Sequence, residues 1–456
     1  MNAKSKEELI EQLYRNGIEK PIIDYHSHLD PKEIATDKRF YNLTQLWLSH
    51  DHYKWRLMRA CGISEEEITG NLSDRQKFYA FARILPRCIG NPIYTWCHLE
   101  LKKYFNIEDN ICEANAKSIY DRTEAMMRTS PFTAQHFIRE SNVLLLCTTD
   151  DPLDDLSWHE KLAENQSQIG FKVLPTFRPD KAIHIESLSF TSYIRLLTGK
   201  ETPSFSDVKE ALASRLNYFI EHGCFLSDHA LEEYIYVRKT DQEIDEILNA
   251  ALHGKLPNTQ DIEGYQTELL LFLADLYEKK GIAMQLHFNC LRNVNISMFS
   301  MQGADSGYDC INVVHEPKKL ANFFDSLYRE QSLPKTIVYS LDPNDNAILQ
   351  TIINCFQGGC RGKIQHGSAW WFNDTRNGIK HQLITHAEYG VLGNFIGMLT
   401  DSRSFSSYVR HDYFRKLLCE VVAEFVEQGE YPDDKNALFE LIDDICFRNA
   451  KEYFDL

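Results

Sequence analysis

PIIDYHSHL, residues 21–29, is an apolar run closed by two histidines and an Asp-Pro turn. Its β-branched start predicts a strand, and its Pro flanks predict a short one. In a strand, side chains two apart share a face, so His26 and His28 point the same way. Seven further runs of this kind follow. They are NVLLLCTT (142–149), KVLPTFRP (172–179), CFLSDHA (224–230), IAMQLHF (282–288), TIVYSLD (336–342), KIQHGSA (363–369) and NFIGMLTD (394–401). Helical patterns fill the gaps, such as TELLLFLADLYEKKG before the fifth run and ANFFDSLYREQSLP before the sixth. Strands alternating with helices imply parallel pairing. Eight of them predict an α/β chain folded as a closed (β/α)8 TIM-type barrel, with the strand ends forming the active-site mouth.

The spacing between runs is uneven. Residues 40–140, rich in helical pattern, Trp, Tyr and charge, read as a large helical insertion after the first strand. A second helical stretch covers 232–280, and 408–456 reads as C-terminal helices packed on the barrel's outside. With no linker or repeat, residues 1–456 are expected to form a single barrel domain. At 456 residues and 43 % hydrophobic content, the chain can bury a large core. Its formal charge of −17 is spread along the chain without a basic stripe, which argues against nucleic acid as a partner. Twelve cysteines stand in mostly apolar contexts without a CxxC pair. That pattern, and an N-terminus that reads as an amphipathic helix, predict a cytoplasmic protein. No stretch approaches the roughly 18 to 20 apolar residues of a membrane span, so no membrane partner is expected.

Two imidazoles at a strand end can share one divalent cation such as Zn2+. Structural histidines bonded to backbone are the plain alternative. His287 ends the fifth strand and Asp401 the eighth. Singly, one reads as a strand-end histidine and the other as a helix N-cap. Jointly with His26 and His28 they make a His3Asp set with room for a substrate oxygen. Arg178 and Arg403 follow strands three and eight, where a guanidinium can bind a carboxylate or hold developing negative charge. Asp228 ends the fourth strand. His52 and Tyr53, in DHYKWR, are surface helix residues or, beside a metal, an acid/base and a proton donor. Trp370 and Trp371 form either a stacking wall for a sugar ring or a loop anchor. The acidic run DDPLDD, 150–155, is a solvated turn or a site loop. No Walker loop, GxGxxG or GxSxG is present, so no nucleotide cofactor is expected.

These residues sit in longer blocks: DYHSHLDPKEIA, NLTQLWLSHDHYKWRLMRACGI, GNPIYTWCHLELKKYF, CTTDDPLDDL, VLPTFRPDKA, MQLHFNCLRN, KIQHGSAWWFND and GMLTDSRSFSSYVRHDYFR. Through them the chain resembles the uronate (glucuronate) isomerase family of the amidohydrolase superfamily, from about residue 20 to 415 and again at NAKEYF. Ser27 and His366 depart from the family pattern, but neither is a site position. The resemblance implies conversion of D-glucuronate to D-fructuronate, and D-galacturonate to D-tagaturonate, through a cis-enediol. It carries site roles onto His26, His28, His52, Tyr53, Arg178, Asp228, His287, Asp401 and Arg403. One metal ion is implied, because no lysine ends strand four to bridge a second. Arg178 is expected at the C6 carboxylate and Arg403 at the enediolate, with Asp401 and Tyr53 both open as the C2 base. A homo-oligomer is expected. The alternative is a metal-dependent hydrolase or deaminase on the same barrel. Against it, two arginines and a double Trp suit an anionic sugar better than a nucleobase.

Overall fold

The structure, a computed structural model, describes residues 3–313 and 316–456. The strands are β1 Ile22–Asp24, β2 Val143–Cys147, β3 Lys172–Leu174, β4 Leu226–Ala230 and β5 Ala283–Phe288. They continue with β6 Cys290–Leu291, β7 Cys310–Ile311, β8 Thr336–Ser340 and β9 Ile364–His366. β1, β2 and β3 form one parallel sheet, and β4, β5, β8 and β9 another, in those orders. Phe177 joins the two. It pairs in parallel with Asp150 on one side and Ser227 on the other, and is fully buried. The fold is thus α/β with parallel pairing, as the alternation of strands and helices predicted. Seven of the eight predicted runs contain a strand of these sheets.

The eighth run does not. Residues 394–401 carry no strand. Gly397 and Asp401 adopt positive φ values of 81° and 46°, which break an extended ladder. At Gly397 a Cβ would meet the Ile445 carbonyl oxygen at 2.3 Å, so only glycine fits. The segment's polar groups bond to side chains instead. Thr400 donates from its N–H (2.8 Å) and its hydroxyl (2.6 Å) to the Asp24 carboxylate, and Tyr25 donates to the Gly397 carbonyl. Two backbone bonds still tie the segment to the chain leaving β1: Asp401 N–H to His26 O at 3.1 Å and His28 N–H to Ser402 O at 2.9 Å.

Helices fill 43–140 between β1 and β2, among them His52–Ala60, Asp74–Ile84 and Pro92–Phe105. Capping explains their starts: Ser73 and Gln76 form a reciprocal capping box, and Asn91 caps a helix opening with Pro92. Trp47, Phe78, Phe81 and Phe137 are buried in their shared core. The helices Asp241–Leu252 and Thr259–Lys280 occupy the second predicted stretch. At the C-terminus, Leu417 and Leu418 of helix Val409–Gln428 pack with Leu9 and Leu13 of helix Ala3–Ile18. A small lobe at 290–313, with the antiparallel pair β6–β7 and helix Ile296–Gln302, has no counterpart in the sequence reading. All twelve cysteines are free thiols. Among the described residues, no helix is long and apolar enough to cross a membrane.

Candidate functional site

Alternation along the chain leaving β1 turns Tyr25 and Ser27 into the packing and His26 and His28 into a cavity of about 560 Å³. Asp401, on the closing segment, accepts there: its Oδ1 lies 3.1 Å from His28 Nε2 and 3.4 Å from His26 Nε2. These three residues offer ligand atoms within 4.8 Å of one another. His287, at the end of β5, adjoins them, with its ring centroid 4.9 Å from that of His26. Its Nδ1 bonds Asp228 Oδ1 at 2.7 Å, which turns a buried, unpartnered Nε2 the other way. A carboxylate behind a histidine is the usual way to fix the ring of a metal ligand. The donor set of imidazoles plus carboxylate therefore fits a divalent cation. The convergent cluster holds three of the four expected ligands, with His287 beside it rather than in it.

Asp228, expected at the strand-four end, lies within β4 beneath the cavity and is fully buried. Its Oδ2 stands 3.1 Å from Arg178 Nη1, and Arg178 Nε bonds Asp180 at 2.7 Å. Burial works to raise Asp228, but Arg178 and the neighbouring histidines overcome it and hold the carboxyl well below its ordinary range. Asp401 behaves alike: burial opposes ionisation, and hydrogen bonds from His26 and His28 more than offset it. His28, which is desolvated, is pushed down to about 4. Burial acts the same way on His26, yet Asp228 and Asp401 outweigh it and raise its pKa.

The insertion contributes the opposite wall. Helix His52–Ala60 starts at Asp51, whose carboxylate accepts from Tyr53 N–H (3.0 Å) and Lys54 N–H (3.2 Å). That start presents His52 and Tyr53, stacked at 5.0 Å, to the cavity. Arg403 Nη1 donates to His52 Nε2 at 3.1 Å, so His52 is neutral with its proton on Nδ1. Burial and Arg403 together lower the His52 pKa. Tyr53 is driven well above its usual value by burial and by Asp401, and stays protonated.

Trp370 and Trp371 line the cavity but are almost fully buried. Trp370 Nε1 donates to Asp401 Oδ2 at 2.9 Å, so this indole orients the carboxylate as well as walling the cavity. The run 150–155 is mostly scaffold. Asp150 is buried, accepting from Thr148 (2.7 Å) and from the Thr176 N–H (3.1 Å). Several cavity residues escaped the sequence reading, and two of them touch residues it named. Arg292 stacks over Trp371 at 5.2 Å, and Asp305 bonds Arg403 at 3.0 Å. Arg292 lies inside MQLHFNCLRN, a block already marked by the resemblance. Asp305 lies in the unforeseen lobe, where no sequence signal pointed to it.

This arrangement can bind a cation between two histidines and a carboxylate, and an anion near several guanidinium groups. Comparison with known proteins narrows the possibilities. A family model described as glucuronate isomerase matches residues 3–454. The chain belongs to the glucuronate isomerase family. It is 46 % identical to a uronate isomerase of Clostridium perfringens over 454 residues, covering 98 % of this chain and 97 % of that one. It is 48 % identical to a uronate isomerase of Caldicellulosiruptor bescii over 438 residues, covering 95 % and 94 %. The crystal structure of uronate isomerase from Thermotoga maritima superposes with a TM-score of 0.92 at 33 % identity, over 98 % of this chain and 97 % of that one. Family membership over the full length makes the chain an isomerase, and the hydrolase or deaminase alternative is not favoured.

Proposed function

We propose that this isomerase interconverts D-glucuronate with D-fructuronate, and D-galacturonate with D-tagaturonate, in hexuronate catabolism, through a cis-enediol. The observation that carries the reading is the convergence of His26, His28 and Asp401 at one end of a cavity that also receives Arg178 and Arg403. A divalent cation, for which this N,N,O donor set suits Zn2+, would be held by His26, His28 and Asp401 with His287 as fourth ligand, and would supply Lewis-acid polarisation of the sugar carbonyl.

The chain's own groups divide the remaining work. Asp401 is the ionised group at the reacting end and takes the C2 proton. Tyr53, held protonated, is a hydrogen-bond donor to the sugar hydroxyls rather than a base. His52, neutral and capped by Arg403, shuttles a proton during ring opening. Arg403 faces the developing enediolate charge. Arg178 holds the C6 carboxylate. Asp180 and Asp228 fix its guanidinium, which limits rotation and gives a preference for uronates over neutral sugars. Arg292 adds positive charge at the cavity of an otherwise acidic molecule. Trp370 and Trp371 wall in the sugar.

We read residues 394–402 as the eighth position of a (β/α)8 barrel in one domain spanning 1–456. The two backbone bonds to the chain leaving β1 support this. Free thiols throughout fit a reducing, cytoplasmic setting, and a homo-oligomer remains part of the proposal. The test is incubation with D-glucuronate, with and without prior chelation, and assay for a ketouronate. Absence of ketouronate from the metal-loaded enzyme would overturn the reading.

A further inference from the structure

We propose that Asp305, carried on the 290–313 lobe, is a positioning residue that fixes Arg403 for the isomerisation. The inference rests on the reading of Arg403 as the group facing the enediolate. The Arg403 guanidinium is held at both ends. Nη2 donates to Asp305 Oδ2 at 3.0 Å, and Nη1 donates to His52 Nε2 at 3.1 Å. The pair separates two spaces. The main cavity lies on one side, and a second cavity of about 430 Å³ is also lined by Ala304, Asp305 and Arg403. Without Asp305, the guanidinium has room to swing out of the site. A group that stabilises charge is effective only when its orientation is set before the charge develops.

The lobe is built to hold Asp305 in place. Arg56 Nη1 donates to the Asp309 carbonyl at 2.7 Å, and Arg59 Nη1 donates to the Ser306 carbonyl. Arg59 also stacks on Tyr308 at 4.5 Å, and Glu65 fixes its other edge at 2.8–2.9 Å. Both arginines belong to helix His52–Ala60, the helix that presents His52. Gly307 permits this close seat. Its φ is +94°, and a Cβ there would stand 3.0 Å from His52 O and 3.1 Å from Arg59 Nη1. His52 and the carboxylate clamping Arg403 are therefore parts of one unit.

The experiment is a double-mutant cycle on the metal-loaded enzyme, with kcat, KM, Tm and bound metal measured for Asp305→Ala, Arg403→Lys and the pair. Asp305→Ala is expected to lower kcat by roughly tenfold or more with KM changed by less than about threefold, at parental Tm and metal content. Because Asp305 acts through Arg403, the double variant is expected to match Arg403→Lys alone within about twofold. Losses that multiply, or a parental kcat in Asp305→Ala while Arg403→Lys is impaired, overturn the proposal. A parental kcat in Arg403→Lys overturns instead the parent reading of Arg403. Should Asp305→Ala not fold, Gly307→Ala asks the same question, since it shifts the lobe segment that carries Asp305 while keeping every charge. Its kcat is expected to fall in parental Arg403 and not in Arg403→Lys, and an equal fall in both overturns the proposal.

Discussion

Tyr53 and Asp401 face one cavity in opposite protonation states, and this distinguishes two groups that the residue types alone left level as bases. Tyr53→Phe removes a hydroxyl that donates but does not abstract. We expect turnover to fall by about ten- to a hundredfold while exchange of the C2 proton with solvent persists. Loss of that exchange would return the base role to Tyr53. Trp370 offers a second test. Its N–H is a direct partner of Asp401, so Trp370→Phe keeps an aromatic ring in the wall and frees one carboxylate oxygen. Groups that orient a metal ligand typically contribute about 10- to 100-fold in affinity, and the variant should lose metal to a competing chelator over that range. Unchanged retention would leave Trp370 as wall alone.

At the scale of elements, the helix His52–Ala60 depends on the residue before it. Asp51 caps two N–H groups and pairs with the buried Lys54 ammonium. Asp51→Ala loses a cap worth about 1 kcal/mol. It also strands a buried cation, a change costing about 3 to 5 kcal/mol. A large fall in Tm is expected, with activity falling alongside it because His52 and Tyr53 occupy the frayed turn. Asp51→Asn, which keeps the cap acceptor but not the charge, should fall between. Equal Tm values for the two variants would show that the cap adds nothing, and a parental Tm in Asp51→Asn would show that the ion pair adds nothing. The sequence made this insertion legible, along with seven strands, because each buries an apolar face in a regular period and starts at a recognisable cap. The eighth run misled because its apolar residues are buried without a ladder, the polar partners being the side chains of Asp24 and Tyr25. The 290–313 lobe escaped notice because two-residue strands and a seven-residue helix leave no periodic trace. Of the site, His26, His28, His287, Asp401 and the two expected arginines were legible as chemistry-bearing residues at strand ends. Asp305 was not, because its partner Arg403 is nearly a hundred residues away in the chain.

For the whole molecule, the balance of buried titratable groups sets how stability varies with pH. Burial lowers His159 and His229 to about 4 and His366 to about 3, and holds His386 and His411 well below 6.5. Each stays neutral in the fold, whereas the unfolded chain takes up its proton near 6.5. As pH falls from 6.5 toward 4, the unfolded state therefore binds more protons at these positions, and stability declines. Asp24, Asp150 and Asp374 oppose this. Burial raises each to about 7 from 3.8, so over the same interval they bind protons in the fold that the unfolded chain does not hold. The buried Glu100 is raised by the same desolvation and joins them, and against these four carboxyls the five histidines leave a net loss on acidification. On the alkaline side, His184 is raised to about 9 because Glu186 and Asp180 overcome its burial, so its contribution is complete below 6.5 and disappears as pH rises through 9. Thermal unfolding of the chelated protein, which takes ligation out of the comparison, should give a Tm that peaks near neutral pH and falls toward both pH 4.5 and pH 9. His366→Gln, which removes one of the five, should make the acid limb shallower. A Tm that holds or rises between pH 6.5 and 4.5 would mean that the buried carboxyls outweigh the histidines.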